Sequence, residues 1–131
     1  MAATSALLLS TLSQGDRSVM SDSNYSGTAE FARKILTRLG VDVIVADLSD
    51  LEAADRSITA GVKLVWAEAP ANPTLRLTDI RSVAELAHSV GAEFAVDSTF
   101  ASPVATRPLM LGADYVVHSL TKYCCGHGDA M

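Results

Sequence analysis

Residues 62–97 read VKLVWAEAPANPTLRLTDIRSVAELAHSVGAEFAVD. The stretch opens on an apolar run, Val62 to Ala67, and closes on a second, EFAV, with an amphipathic segment from Thr78 to Val90 between them. Thr78 and Asp79 bring N-terminal capping chemistry to that segment and Gly91 follows it at a C′ position, so the predicted order is strand, helix, strand.

The same alternation extends outward in both directions. Gly15 follows LLLSTLSQ, Gly40 follows FARKILTRL and Gly112 follows PLML, each placed as a C′ cap. Short aliphatic runs come after them (SVMS, VDVIVA and DYVVHS), and the Leu51 to Ile58 segment leads into the run at Val62. Short, almost uniformly apolar strands separated by amphipathic helices predict an α/β fold with a mainly parallel, doubly wound sheet covered on both faces.

In such sheets ligands bind outside the carboxyl ends of the strands. Three polar clusters fall there: Glu68 to Pro73, Asp97-Ser98-Thr99, and Ser119-Leu120-Thr121-Lys122.

Composition narrows the classes of function. The 131 residues and 49% hydrophobic content suit one ordinary domain. The net charge is −5 and the ten Lys and Arg are scattered singly, which argues against a nucleic-acid surface. The longest apolar runs, such as Ala6 to Leu9 and Val62 to Ala67, are far shorter than the ~20 residues that span a bilayer, so no membrane partner is expected. The opening MAATSALLLSTLSQG lacks a basic region and a clear small-x-small cleavage site, and reads as a helix. Adjacent Cys124 and Cys125 would close no useful loop as a disulfide, and a cytoplasmic location is expected.

Within the clusters, Lys122 follows an apolar strand and two hydroxyl residues and precedes Tyr123, a setting expected to desolvate the amine and favour its nucleophilic form. Asp97 at the end of EFAVD is placed to pair with a ring N–H⁺ and keep a pyridine protonated. Ser119 and Thr121, on alternate positions, can turn both hydroxyls to one anion. Asn72 lies in a stiff loop between Pro70 and Pro73, and Tyr25 follows a strand and a polar turn, where an aromatic can stack on a flat heterocycle. Each also reads, taken alone, as ordinary chemistry: a solvated loop lysine, a capping aspartate, turn-forming Ser and Thr, a loop Asn and a sheet-covering Tyr.

Taken together, AEAPANPTLRLTDI, AEFAVDSTFASP and RPLMLGADYVVHSLTKYCCGHGD resemble the signature region of the Cys/Met-metabolism (trans-sulfuration) pyridoxal-phosphate enzymes: cystathionine γ-synthase, the cystathionine lyases and methionine γ-lyase. The resemblance runs nearly the whole chain and is most specific from His118 to Asp129. It implies the large domain of a fold-type I pyridoxal-phosphate enzyme, with residues 1–131 as a partial cofactor-binding domain, the family's N-terminal segment and C-terminal domain falling outside.

By that resemblance, pyridoxal 5'-phosphate is the cofactor and Lys122 its aldimine-forming lysine and proton shuttle. Asp97 binds the ring nitrogen, Ser119 and Thr121 hold the phosphate, Tyr25 stacks on the ring, Asn72 bonds the 3-oxygen side and Thr99 supports the same face. Met1 matches a position that helps seat the phosphate at a helix N-terminus, a glycine preceding it in the family. The implied substrates are sulfur amino acids or O-acylated homoserine, undergoing elimination or replacement at Cβ or Cγ, and the implied assembly is a homo-oligomer with active sites between subunits. The family's tyrosine and arginine for a neighbour's phosphate, and its arginine for the substrate carboxylate, have no match in the chain. Ser98 stands where asparagine is common, and Cys124-Cys125 replaces an apolar-plus-small pair.

Other readings compete. Ser119-x-x-Lys122 fits the S-x-x-K pattern of acyl-transfer hydrolases, but no K-T-G accompanies it. A receiver domain would use Asp97 and Lys122 but needs an early acidic pair. A zinc site from His118, Cys124, Cys125 and His127 fails because adjacent cysteines rarely both face one tetrahedral ion. His118 reads as a strand-end packing residue, and His127 as orienting the lysine loop by resemblance alone. The remaining alternative is a family member without independent turnover, a non-catalytic fragment or a partner-dependent subunit.

Overall fold

The computed structural model describes residues 1–128; Asp129 and Met131, which enter the sequence reading, lie outside the described residues. Five parallel strands are joined by helical crossovers. They are β1 (Arg17–Ser21), β2 (Asp42–Ala46), β3 (Val62–Glu68), β4 (Glu93–Asp97) and β5 (Tyr115–Val117), arranged in the order β2-β1-β3-β4-β5. Helix α1 (Ala2–Thr11) precedes β1. Between the strands run α2 (Ser26–Phe31), α3 (Leu51–Ser57), α4 (Ile80–Ser89) and α5 (Ser102–Ala105).

All five expected strands form, within a residue or two of the apolar runs that mark them. Helix α4 starts where the capping residues place it: Asp79 accepts from the Ser82 backbone N–H at 3.1 Å, a cap worth about 1 kcal/mol. Asp50 caps α3 in the same way, accepting from Glu52 N at 2.9 Å.

Side chains of parallel strands in register alternate between two faces, and each face buries its own apolar layer. On one, Met20, Leu64, Trp66 and Ala95 pack against Leu8 and Leu12 of the α1 region and Ala32 and Leu36 beyond α2. On the other, Val19, Val65, Ala67, Phe94 and Val96 pack against Ala54 of α3 and Ile80, Val83, Ala84 and Ala87 of α4.

Three expectations need correction. First, β2 is not covered on both faces: as an edge strand it leaves Val45 65% exposed, because strand order rather than composition decides which apolar run becomes interior. Second, Gly15 does not cap α1. That helix ends at Thr11 and Leu12 turns extended, so Gly15 instead makes a turn at φ +91°, its N–H bonding Gly40 O at 2.9 Å. The FARKILTRL segment is also not a single α-helix. It widens into a π turn over Ala32–Leu36 and tightens to 3₁₀ over Thr37–Leu39 before Gly40.

Gly112, after the 3₁₀ turn Pro108–Leu111, sits at φ +103°, and a Cβ there would lie 2.9 Å from the Cβ of Ala84 in α4. Both the backbone and the packing demand glycine. Gly112→Ala is expected to lower unfolding free energy by about 1–3 kcal/mol, seen as a lower urea midpoint at unchanged slope.

Candidate active site

Because every strand runs the same way, the carboxyl ends of β1, β3, β4 and β5 share one edge of the sheet. The chain leaves β1 outward to β2 and returns at β3, so the order reverses between β1 and β3. The segments following these two strands lead to opposite faces, through α2 and α4, and leave a crevice between them.

On the β4–β5 side, Asp97 closes β4 half-buried, and its Oδ1 accepts from Thr99 N at 3.0 Å. Thr99 Oγ1 in turn accepts from Ser119 N at 2.8 Å. The Ser119 and Thr121 hydroxyls meet at 2.9 Å, and Lys122 N donates to Ser119 O at 3.1 Å. Asp97, Thr99, Ser119, Thr121 and Lys122 are therefore one connected unit, as expected for residues sharing a ligand. Among the described residues, Asp97 uses only one carboxylate oxygen in hydrogen bonds.

Lys122 departs from expectation: its side chain is exposed, not desolvated. Among the described residues β5 is the outer strand, and the turn after it closes on itself, Cys125 N bonding Leu120 O at 2.9 Å and Gly126 N bonding Lys122 O at 2.7 Å. No described element packs over the amine. His118, expected as a packing residue, is half-buried with its Nδ1 lacking a partner among the described residues, and His127 Nδ1 lies 3.0 Å from Cys125 O, tightening the same turn.

On the β1–β3 side the organising group is one that the sequence places in the first polar cluster but assigns no role. Glu68, the last residue of β3, is 7% exposed; its Oε2 accepts from Tyr25 N at 2.5 Å and its Oε1 from Asn72 N at 3.1 Å. It lies in register beside Asp97. Tyr25 itself is 51% exposed, its ring lying over Gly27, and Asn72 is exposed. Met1 reaches the same place: its sulfur is 3.1 Å from where a Gly27 Cβ would lie, so Met1, Gly27 and Tyr25 form one patch at the start of α1. No side chain caps the first turn of α1. Farther out, Arg76 bridges Asp47 at 2.6 Å and Asp22 at 2.8 Å and also bonds Ser23, tying the Asn72 loop to the ends of β1 and β2.

Burial pushes the Glu68 carboxyl above the ordinary glutamate range. The Tyr25 and Asn72 N–H groups pull it back down, and neighbouring Asp97 pushes it up. An acid whose folded pKa is raised contributes stability that is fully present below the unfolded value and fades as pH rises through the folded one. The stability of wild type minus that of Glu68→Gln is therefore expected to fall as pH rises from below 4.5 toward neutrality, as measured by urea titrations across that range.

Two converging hydroxyls and an uncapped helix N-terminus suit an anion, Asp97 suits a cationic ring N–H, and Lys122 supplies a primary amine. The chemistry of these groups fits the phosphate, the ring nitrogen and the aldehyde of pyridoxal phosphate.

Comparison with known proteins agrees with this chemistry. The family model described as Cys/Met metabolism PLP-dependent enzyme matches residues 1–131. The chain is 44% identical to cystathionine gamma-synthase of Mycobacterium leprae (strain TN), with 100% of the chain covering 34% of that protein. It is 41% identical to cystathionine beta-lyase MetC of Bacillus subtilis (strain 168), with 100% covering 33%. The crystal structure of metB from Corynebacterium glutamicum superposes with a TM-score of 0.95 at 43% identity, over 100% of the chain and 34% of that structure. The chain thus spans about a third of the length of the relatives it matches. Its parallel sheet is that of a fold-type I pyridoxal-phosphate domain, and the match of the family model over all 131 residues makes the chain a member of the Cys/Met-metabolism pyridoxal-phosphate-dependent enzymes.

Proposed function

We propose that the chain carries the cofactor-lysine half of a pyridoxal-phosphate-dependent carbon–sulfur lyase or γ-synthase, acting on sulfur amino acids or activated homoserine. The observation that supports this reading is the hydrogen-bonded run Asp97–Thr99–Ser119–Thr121, to which Lys122 is tied through its backbone N–H. When bound, pyridoxal phosphate supplies an electron-poor ring that accepts the electron pair left at a substrate carbon.

The side chains divide the remaining work. Lys122 Nζ would hold the cofactor and, as a free amine, would take the proton from the substrate Cα and return it. Asp97 holds a proton on the ring nitrogen through charge pairing. Ser119, Thr121 and the first-turn amides of α1 at Met1 bind the phosphate, fixing the ring's position relative to Lys122. Tyr25 covers one ring face and Asn72 donates to the 3-oxygen, while Thr99 keeps Asp97 and Ser119 in register. The proposal includes a cytoplasmic, homo-oligomeric enzyme whose substrate is a free amino acid.

The test is borohydride reduction of protein incubated with pyridoxal phosphate, followed by peptide mass analysis. Modification at Lys122, and not at Lys34 or Lys63, is the expected result, and would justify assays on cystathionine and homoserine esters. Reduction that labels the three lysines alike would sink the reading. A second reading, a segment that needs a partner for turnover, is favoured by the exposure of Lys122 and Tyr25.

A further inference from the structure

Glu68 is the one buried charged side chain among the described residues, yet none of the roles above uses it. Both of its oxygens accept backbone N–H groups, one from the segment that leaves β1 and one from the loop that leaves β3. Only a carboxylate can do this: glutamine at the same place offers one acceptor and sets an NH₂ against the other N–H. The two amides are those of Tyr25 and Asn72, and the carboxylate sits one strand from Asp97.

We propose that Glu68 is a positioning residue of the cofactor site, its two oxygens setting together the backbones from which the Tyr25 ring and the Asn72 amide reach the crevice beside Asp97. The inference rests on the cofactor site proposed above. A cation paired with Asp97 offsets the repulsion between the two neighbouring carboxylates, and burial makes that repulsion felt. Loading the site therefore favours charged Glu68 and tightens both tethers. Arg76 holds the same two segments farther out, so the segments stay near one another without Glu68 while their inner ends lose register.

The experiment follows amide hydrogen exchange by NMR together with cofactor affinity by absorbance, in wild type, Glu68→Gln and Asp79→Ala. Asp79→Ala is a control that weakens the fold at the α4 cap while leaving both Glu68 tethers in place. In wild type the Tyr25 and Asn72 amides should slow together when pyridoxal phosphate is added. In Glu68→Gln at least one of them should exchange about tenfold faster without cofactor, and the cofactor dissociation constant should rise about tenfold or more, while Asp79→Ala leaves that constant unchanged.

A Glu68→Gln protein with unchanged cofactor affinity overturns the inference alone, as does an equal loss in Asp79→Ala. Should Glu68→Gln not fold, wild type decides: independent responses of the two amides to cofactor overturn the inference. Wild type that forms no lysine-dependent visible band with pyridoxal phosphate overturns the proposed function, and this inference with it.

Discussion

Lys122→Ala is expected to abolish the visible absorbance that the wild-type protein develops with pyridoxal phosphate, and to lower turnover of a cystathionine or homoserine-ester substrate by on the order of a thousandfold or more. The size follows from removing two functions at once, the covalent anchor and the positioned proton carrier, of which the second alone is worth about 10² to 10⁴. Stability should scarcely change, because the side chain is exposed and its backbone bonds, Lys122 N to Ser119 O and Gly126 N to Lys122 O, are kept. Full residual activity in the variant would remove Lys122 from the chemistry.

The largest effect on stability is expected at Trp66. Its side chain is fully buried beneath α1, among Leu8, Leu12, Met20 and Leu64. Trp66→Ala should cost about 3–5 kcal/mol, a large part of the 5–15 kcal/mol that holds an ordinary domain folded. Among the described residues the Nε1–H has no partner, so Trp66→Phe removes an unsatisfied donor along with the ring it deletes and should cost clearly less than the alanine change. Urea unfolding of the three proteins measures the order; Phe equal to Ala would show that the loss is not one of filled volume.

Much of the fold was legible because its signals are local. Each strand is an apolar run long enough to bury and too short for a helix, and α4 declares itself by its amphipathic spacing and the Asp79 cap. What was not legible depends on neighbours distant in sequence. Nothing in VDVIVA states that the run will lie at an edge, and nothing around Lys122 states that the turn after β5 stands exposed. The switch from α to π to 3₁₀ across residues 26–39 is a change of hydrogen-bond partner that leaves no mark on composition.

The site divides along the same line. Asp97, Thr99, Ser119, Thr121 and Lys122 were readable as strand-end polar residues, and the structure joins them. Glu68 stood in plain view as a carboxylate one step past an apolar run, in phase with Leu64 and Trp66 on the face that α1 covers. An acidic residue on a buried phase of a strand is itself a signal. It was assigned no role because its partners are backbone amides, one of them 43 residues away, and amides have no letter in the sequence.

Among the described residues strand β5 is three residues long and pairs with β4 alone, yet the amine and both hydroxyls proposed to hold the cofactor follow directly from it. Regions with so little buried support open at low free energy, well before the sheet as a whole. The lysine turn is thus the least supported part of this corner among the described residues. A cofactor bound by Ser119, Thr121 and Lys122 on this turn and by Asp97 on the sheet would hold the two together, and mass action would then make the resistance of this corner to heat and proteases rise with cofactor concentration. An apoprotein would be nicked first near residues 119–126, and the loaded form spared there.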